Sequence, residues 1–308
     1  MRKSMKKLIA LTLACLMLAT LFVGCGKKDD GGSSGGDTIK LGWMGSLTGD
    51  QAAYGTCESQ TLKMMVEDLN ANGGLLGKQV ELICYDTKGD AQEAVNVAKR
   101  LCAQDQVCAI IGPNASGQCI AIQSVLDQYK ISDMSTVATN EKVTMQDGQL
   151  KEYNFRVCFL DPFQGTVLAN YAYKELGVDT AYLLGMLGSD YDQGLIYYFT
   201  QAFEKLGGKV VAENFPEGNA NFVSYINNAK AANAGVIFSP VSINYAQLIV
   251  EAAAAQGFEG TILGGDTLDS NMVVEAAKGK DVDVKITTFY QEGGGRRTML
   301  VTREGNLS

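Results

Sequence analysis

Residues 79–112 read "QVELICYDTKGDAQEAVNVAKRLCAQDQVCAIIG". The first eight, 79–86, form an apolar run that ends on an aspartate, which predicts a buried strand. Residues 91–104 place Ala94, Val95, Ala98, Leu101 and Cys102 at helical spacing, so a helix with one packing face follows. "VCAIIG" (107–112) is apolar again and short, and predicts another strand. A strand, a helix and a strand this close together build a right-handed βαβ unit, because the crossover packs back on the sheet only in that hand. Such a unit commits the chain to a parallel sheet with helices on both faces.

The pattern extends in both directions. "TIKLGWMG" (38–45) predicts a strand, and residues 55–74 a helix with Leu62, Met65, Val66 and Leu69 on one side and glycines at its end. "EYNFRVCF" (152–159) leads into a second set of elements. Strands are predicted at 178–186, 208–215, 235–239, 260–265 and 283–290, and helices at 163–176, 191–206, 221–232, 244–256 and 270–278. The expected fold class is α/β, with two Rossmann-like lobes of parallel sheet flanked by helices. Lobe 1 spans 38–158 and lobe 2 spans 159–284, with crossings near Phe159 and Phe289. Residues 285–308 hold the last strand and a tail, "GGRRTMLVTREGNLS", that has no core pattern.

The first 24 residues have a basic head (Arg2, Lys3, Lys6, Lys7) and an apolar run from Leu8 to Val23. That is the layout of a signal peptide, and the run is shorter than the ~20 residues a spanning helix needs. "FVGC" resembles a lipobox, which would make Cys25 the lipidated first residue of the mature chain. Residues 25–37, "CGKKDDGGSSGGD", would then be a flexible spacer between membrane and domain. The expected location is extracytoplasmic, anchored to the membrane through Cys25.

A net charge of −8 argues against nucleic acid as a partner. The chain has no histidine, which removes the commonest general base and metal ligand, so neither an enzyme nor a metal or cofactor site is expected. The first strand turn, "GSLTGDQAAYG" (45–55), lacks the G-x-G-x-x-G spacing of nucleotide-binding Rossmann proteins. Beyond the leader, Cys57, Cys84, Cys102, Cys108, Cys119 and Cys158 match no zinc or redox spacing. Cys84, Cys108 and Cys158 read as small core residues, while a Cys102–Cys108 disulfide has nothing to support it.

In open parallel sheets ligands bind beyond the carboxyl ends of the strands. The stretches there are "GSLTGDQAAYG", "GPNASGQ" (112–118), "STVATN" (135–140), "LGSDYDQG" (187–194), "SPVSIN" (239–244) and "GGDTLDSN" (264–271). Ser116 reads either as a plain N-cap of a helix over 117–129 or as a carboxylate ligand at its electropositive start. Thr139 adds a hydroxyl and Val137 a carbonyl. Asp266 reads either as a cap for a helix over 268–278 or as the partner of an ammonium. Tyr54 and Tyr191 follow tight turns, as packing residues or as ring faces over a ligand.

Taken in order, "IKLGWMGSLTGDQAAYG", "NANGGLLGK", "YDTKGDAQEAVNVAKRL", "AIIGPNASGQ", "ATNEKVT", "NFRVCFLDPFQG" and "GSDYDQGL" resemble the leucine/isoleucine/valine-binding proteins of ABC transporters. These have the type I periplasmic-binding-protein fold. The resemblance runs from Lys40 to about Tyr290. It implies an amino acid whose carboxylate is held by Ser116 and Thr139, and whose ammonium is held by Asp266 and the Val137 carbonyl. It also implies a side-chain pocket lined by Tyr54, Tyr191, Val241 and Ser242. Asp161 and Gln164, just past the first crossing, are expected as hinge or cleft contacts. The partners implied are a free amino acid and an ABC permease, with the binding protein itself a monomer. The same pocket would serve a sensing module that reports to a receptor or regulator. The family's paired cysteines in lobe 1 are not matched, and Asp266 stands where better-known members carry glutamate. The tail departs from the family, as expected of a truncated or frameshifted chain that leaves a sheet edge and apolar surface of lobe 1 uncovered.

Overall fold

The computed structural model describes residues 38–289 and the backbone of 299–302, so the leader, Cys25 and the spacer lie outside the described residues. The first sheet has the order β2-β1-β3-β4-β7, all parallel. Its strands are β1 (Ile39–Gly45), β2 (Val80–Asp86), β3 (Ala109–Ile111), β4 (Ser132–Ser135) and β7 (Asn154–Arg156). The connecting helices are α1 (Ala52–Ala71), α2 (Ala91–Arg100, continued by a π turn over Leu101–Asp105), α3 (Ser116–Ala121) and α4 (Gln123–Tyr129). A hairpin of β5 (Met145–Gln146) and β6 (Gln149–Leu150) stands apart from the sheet.

The second sheet has the order β13-β12-β11-β10-β8-β9. It is built from β8 (Thr180–Met186), β9 (Lys209–Phe215), β10 (Val236–Phe238), β11 (Thr261–Gly264), β12 (Asp283–Thr288) and β13 (Met299–Thr302). Its helices are α5 (Asp161–Asn170, continued by a π turn over Tyr171–Glu175), α6 (Asp190–Lys205), α7 (Val223–Ala231), α8 (Ile243–Ala255) and α9 (Asn271–Ala277). Alternation along β8 feeds two cores. Ala181 and Leu183 pack with Phe199 and Phe203 of α6, whereas Tyr182 and Leu184 pack with Ile226 of α7 and Ile249 of α8. Both faces of this sheet are therefore covered.

The first sheet is covered unequally. Met44 and Ile110 pack with Ala98, Leu101, Val125 and Leu126 under α2 and α4. On the other side α1 buries only Gly55 and Ser59, and Met134, Phe155 and Val157 remain exposed. β7 forms one edge of that sheet.

Where the second crossing is expected, Phe289 stacks on Phe159 of the first at 4.1 Å between ring centroids, and β13 pairs antiparallel with β12. The apolar segment "MLVT" supplies the missing pairing for the free edge of β12. An expectation is corrected at Cys108, which is exposed and not core, since it precedes β3 and faces outward. The six cysteines among the described residues are all free thiols, with no disulfide between Cys102 and Cys108.

Candidate functional site

The carboxyl ends of both sheets face one cavity of about 280 Å³. The stretch after β3 shows why the chain stops building core at this point. Gly112 has φ +91°, and a Cβ there would lie 2.1 Å from the Met44 carbonyl oxygen, so only glycine fits. The segment is then tied down by polar side chains. Asn114 Oδ1 accepts from the Ser46 amide at 3.1 Å, and the Thr87 hydroxyl donates to Gln118 Oε1 at 3.0 Å. Ser116 is the first residue of α3, with Ala115 at the cap position, so its hydroxyl is not spent on capping. That hydroxyl accepts from the Asn140 amide at 3.3 Å and keeps its own proton to donate.

The loop after β4 is held by Arg156 from β7. Its guanidinium donates to the carbonyls of Ala138 at 2.8 Å and Asn140 at 2.7 Å and to the Thr144 hydroxyl. This clamp presents Val137 to the cavity. Thr139 is fully buried behind it and does not line the cavity. Next to Val137, Thr136 donates to Glu58, which also accepts from the Trp43 indole at 3.1 Å. Burial pushes the Glu58 carboxyl up to about 7.

On the second lobe Asp266 opens a 3₁₀ turn after β11. It does not cap α9, whose first turn is capped by Ser270. Gln164 Nε2 donates to Asp266 Oδ1 at 2.9 Å, and the Tyr191 hydroxyl donates to the same oxygen at 2.9 Å. Gln164 Oε1 also accepts from the Asp266 amide at 3.2 Å, which fixes the turn. Gly265 is required beside it, because a Cβ there would sit 2.3 Å from the Tyr191 hydroxyl. Burial pushes the Asp266 carboxyl up to about 6, against the two hydrogen bonds that favour its ionised form. Asp161 is fully buried, and burial raises its carboxyl to about 8, against the Thr139 hydroxyl, which favours the ionised form.

Val241 is not in the pocket wall. Its side chain belongs to the second-lobe core, and its carbonyl accepts from the Thr267 hydroxyl at 2.7 Å. The following Ser242 does line the cavity and donates across it to Asp50 Oδ2 at 2.9 Å. Two further bonds join the lobes, from the Tyr54 hydroxyl to the Thr267 carbonyl and from Asn140 Nδ2 to the Asp190 carbonyl at 2.7 Å. The cleft is thus closed. Of the residues singled out from sequence, it brings Ser116, Val137, Tyr54, Tyr191, Ser242 and Asp266 around one space. Sequence reasoning missed Asp50, Asn114, Ser189, Asp192, Tyr245 and Asp269 in the same wall. Most lie in the strand-end stretches, so their position was visible and their orientation was not.

This arrangement coincides with a wider likeness. A sequence profile described as periplasmic binding protein matches residues 38–299. The chain belongs to that family. An amino acid binding protein of Pseudomonas aeruginosa is 27% identical over 78% of this chain and 64% of its own length, so this chain spans just under two thirds of it. Two solved structures are each 30% identical to this chain. One is a leucine binding protein from Thermotoga maritima, with TM-score 0.77 over 83% of this chain and 72% of that one. The other is a branched-chain amino acid transporter substrate binding protein from Streptococcus pneumoniae in complex with isoleucine, with TM-score 0.73 over 81% and 71%. The two-lobed α/β fold is therefore that of the periplasmic binding proteins. Among the described residues no helix is long and apolar enough to cross a membrane, and no cluster of metal-ligating side chains occurs.

Proposed function

We propose that the cleft captures a free amino acid outside the cytoplasm and hands it, in the closed form, to an ABC permease, the protein being held at the membrane by a lipid on Cys25. The observation that carries this reading is that Ser116 of one lobe and Asp266 of the other line the same cavity. A carboxylate fits against the Ser116 hydroxyl and the backbone amides that start α3, which lack intrahelical partners. Thr139 supports this wall from behind. An ammonium fits between Asp266 Oδ2 and the Val137 carbonyl, since both side-chain donors to Asp266 converge on Oδ1. Pairing both ends matters because an unpaired ion in a closed site is costly. The side-chain bonds across the cleft then latch the closed state that a permease would recognise. The names of the relatives make leucine and isoleucine the first ligands to try.

Titration calorimetry of the chain with free amino acids tests the reading. Asp266→Asn keeps the shape and removes the charge, and should cost about 3 kcal/mol of binding, roughly a hundredfold in Kd. Its melting temperature should stay close to that of the parent. Undiminished affinity in this variant would remove the ammonium assignment.

A further inference from the structure

Ser135 ends β4, and Arg156 stands beside it in register on β7. From that place its side chain reaches over the loop that leaves β4. Nη1 donates to the Ala138 carbonyl at 2.8 Å, and Nη2 to the carbonyls of Asn140 at 2.7 Å and Glu141 at 3.2 Å. Nη2 and Nε also donate to the Thr144 hydroxyl oxygen, at 2.9 and 3.2 Å. All five bonds go to neutral acceptors within residues 138–144. A planar fork of donors holds several carbonyls at set angles, which a lysine ammonium on its flexible stem does not. Arg156 itself does not line the cavity.

The carbonyls of this loop can be accounted for one by one. Those of Ala138, Asn140 and Glu141 accept from Arg156, and that of Thr139 accepts from the Asp161 amide at 3.0 Å. The Val137 carbonyl is engaged by no group among the described residues, and Val137 lines the cavity. Its direction is fixed all the same. The peptide after Val137 is trans, so its carbonyl and the Ala138 N–H point opposite ways. That N–H donates to the Ser135 hydroxyl at 3.1 Å, and the carbonyl therefore faces away from Ser135. Arg156 pins the next peptide through the Ala138 carbonyl and the one after Asn140 through its carbonyl. Without the guanidinium, only the Ser135 bond holds the Val137 peptide in place. The wall at Ser116 depends on the clamp much less, since Ser116 belongs to α3 and is placed by that helix.

We infer that Arg156 is a positioning residue for the ammonium of the ligand: touching no ligand itself, it sets the direction of the Val137 carbonyl that shares the ammonium with Asp266. This rests on the amino-acid reading given above. An edge strand of the first lobe thereby contributes to recognition through a loop that it does not belong to.

The test is calorimetry of the full chain and of Arg156→Lys with two probes. The parent is titrated with the twenty standard amino acids, leucine and isoleucine first, and the tightest binder is the first probe. The second is the same acid with hydrogen in place of the ammonium (4-methylpentanoate for leucine), its affinity read by competition. Arg156→Lys keeps the charge and loses the fork. The amino acid should then weaken about tenfold and the desamino acid less than about threefold, so that the preference for an ammonium shrinks. A purely structural role weakens both probes alike. Equal weakening, or an unchanged affinity for the amino acid, overturns the inference and leaves the amino-acid reading standing. Should Arg156→Lys not fold, Thr144→Val decides, because it removes the acceptor of two of the five bonds and keeps the arginine. A smaller shrinkage of the same preference supports the inference, and an undiminished preference overturns it. A parent chain that binds none of the twenty overturns the amino-acid reading and this inference with it.

Discussion

Asp266 shows how a single side chain couples the site to pH. Its carboxyl is pushed up to about 6, first by burial, while Gln164 and Tyr191 hydrogen-bond the ionised form. A ligand ammonium favours that ionised form, so the bound state holds fewer protons than the free state. Affinity is then full above the raised value and is lost as pH falls through about 6. Calorimetry between about pH 5 and pH 8 should show this slope, with proton release on binding at the acid end. Asp192 lies in the same wall and is raised to about 7, chiefly by burial, so its titration broadens the profile. Both Ser116 and Asp266 were legible as polar strand-end residues, and both line the cavity. Val241 and Thr139 were not separable from them by the same logic. A strand end tells which residues approach the cleft, but the fold of the loop decides which side chain turns inward. At 241–242 the inward one is serine, and the valine joins the core.

Elements were read more securely than residues, because periodicity over ten or more positions averages out local ambiguity. Apart from β4 and β13, for which no strand was expected, the strands and helices of both sheets fall within a few residues of their expected spans. The hairpin over 145–150 had no such signal, since each of its strands has two residues. The split between α3 and α4 at Ile122 was also invisible, since an apolar isoleucine fits either one helix or two. The helix α6 illustrates what fixes a start. Ser189 accepts from the Asp192 amide at 3.2 Å and donates to the Asp192 carboxylate at 2.5 Å, a cap that places Tyr191 in the first turn facing Asp266. Ser189→Ala should cost about 1 kcal/mol of stability, read as a lower urea midpoint with an unchanged slope.

At the scale of the molecule the two sheets are not equivalent. The second is sandwiched by helices, whereas the first exposes apolar groups around its β4–β7 edge. Met134 and Phe155 are paired across the two strands, and Phe155 and Val157 are 45% and 62% exposed. Leu160 and Phe163 extend the same exposure into the segment that joins the lobes. Contiguous apolar surface of this kind favours association. The 308-residue chain should bind a hydrophobic dye and show concentration-dependent light scattering, and a Phe155→Thr, Val157→Thr double variant should reduce both. Intact scattering behaviour in the double variant would locate the sticky surface elsewhere. Length and hydrophobic content forecast two cores but not their unequal covering, which depends on which elements return to which face.

Trp43 is the one tryptophan of the chain, and it is fully buried in the first lobe. Its indole meets Glu58, Glu58 meets Thr136, and Thr136 adjoins Val137 at the cavity wall. The protein therefore carries a built-in fluorophore with a single location, wired to the wall where the carboxyl and ammonium ends of a ligand would meet. Excited at the red edge, where tyrosine does not absorb, its emission comes from that lobe and from no other tryptophan.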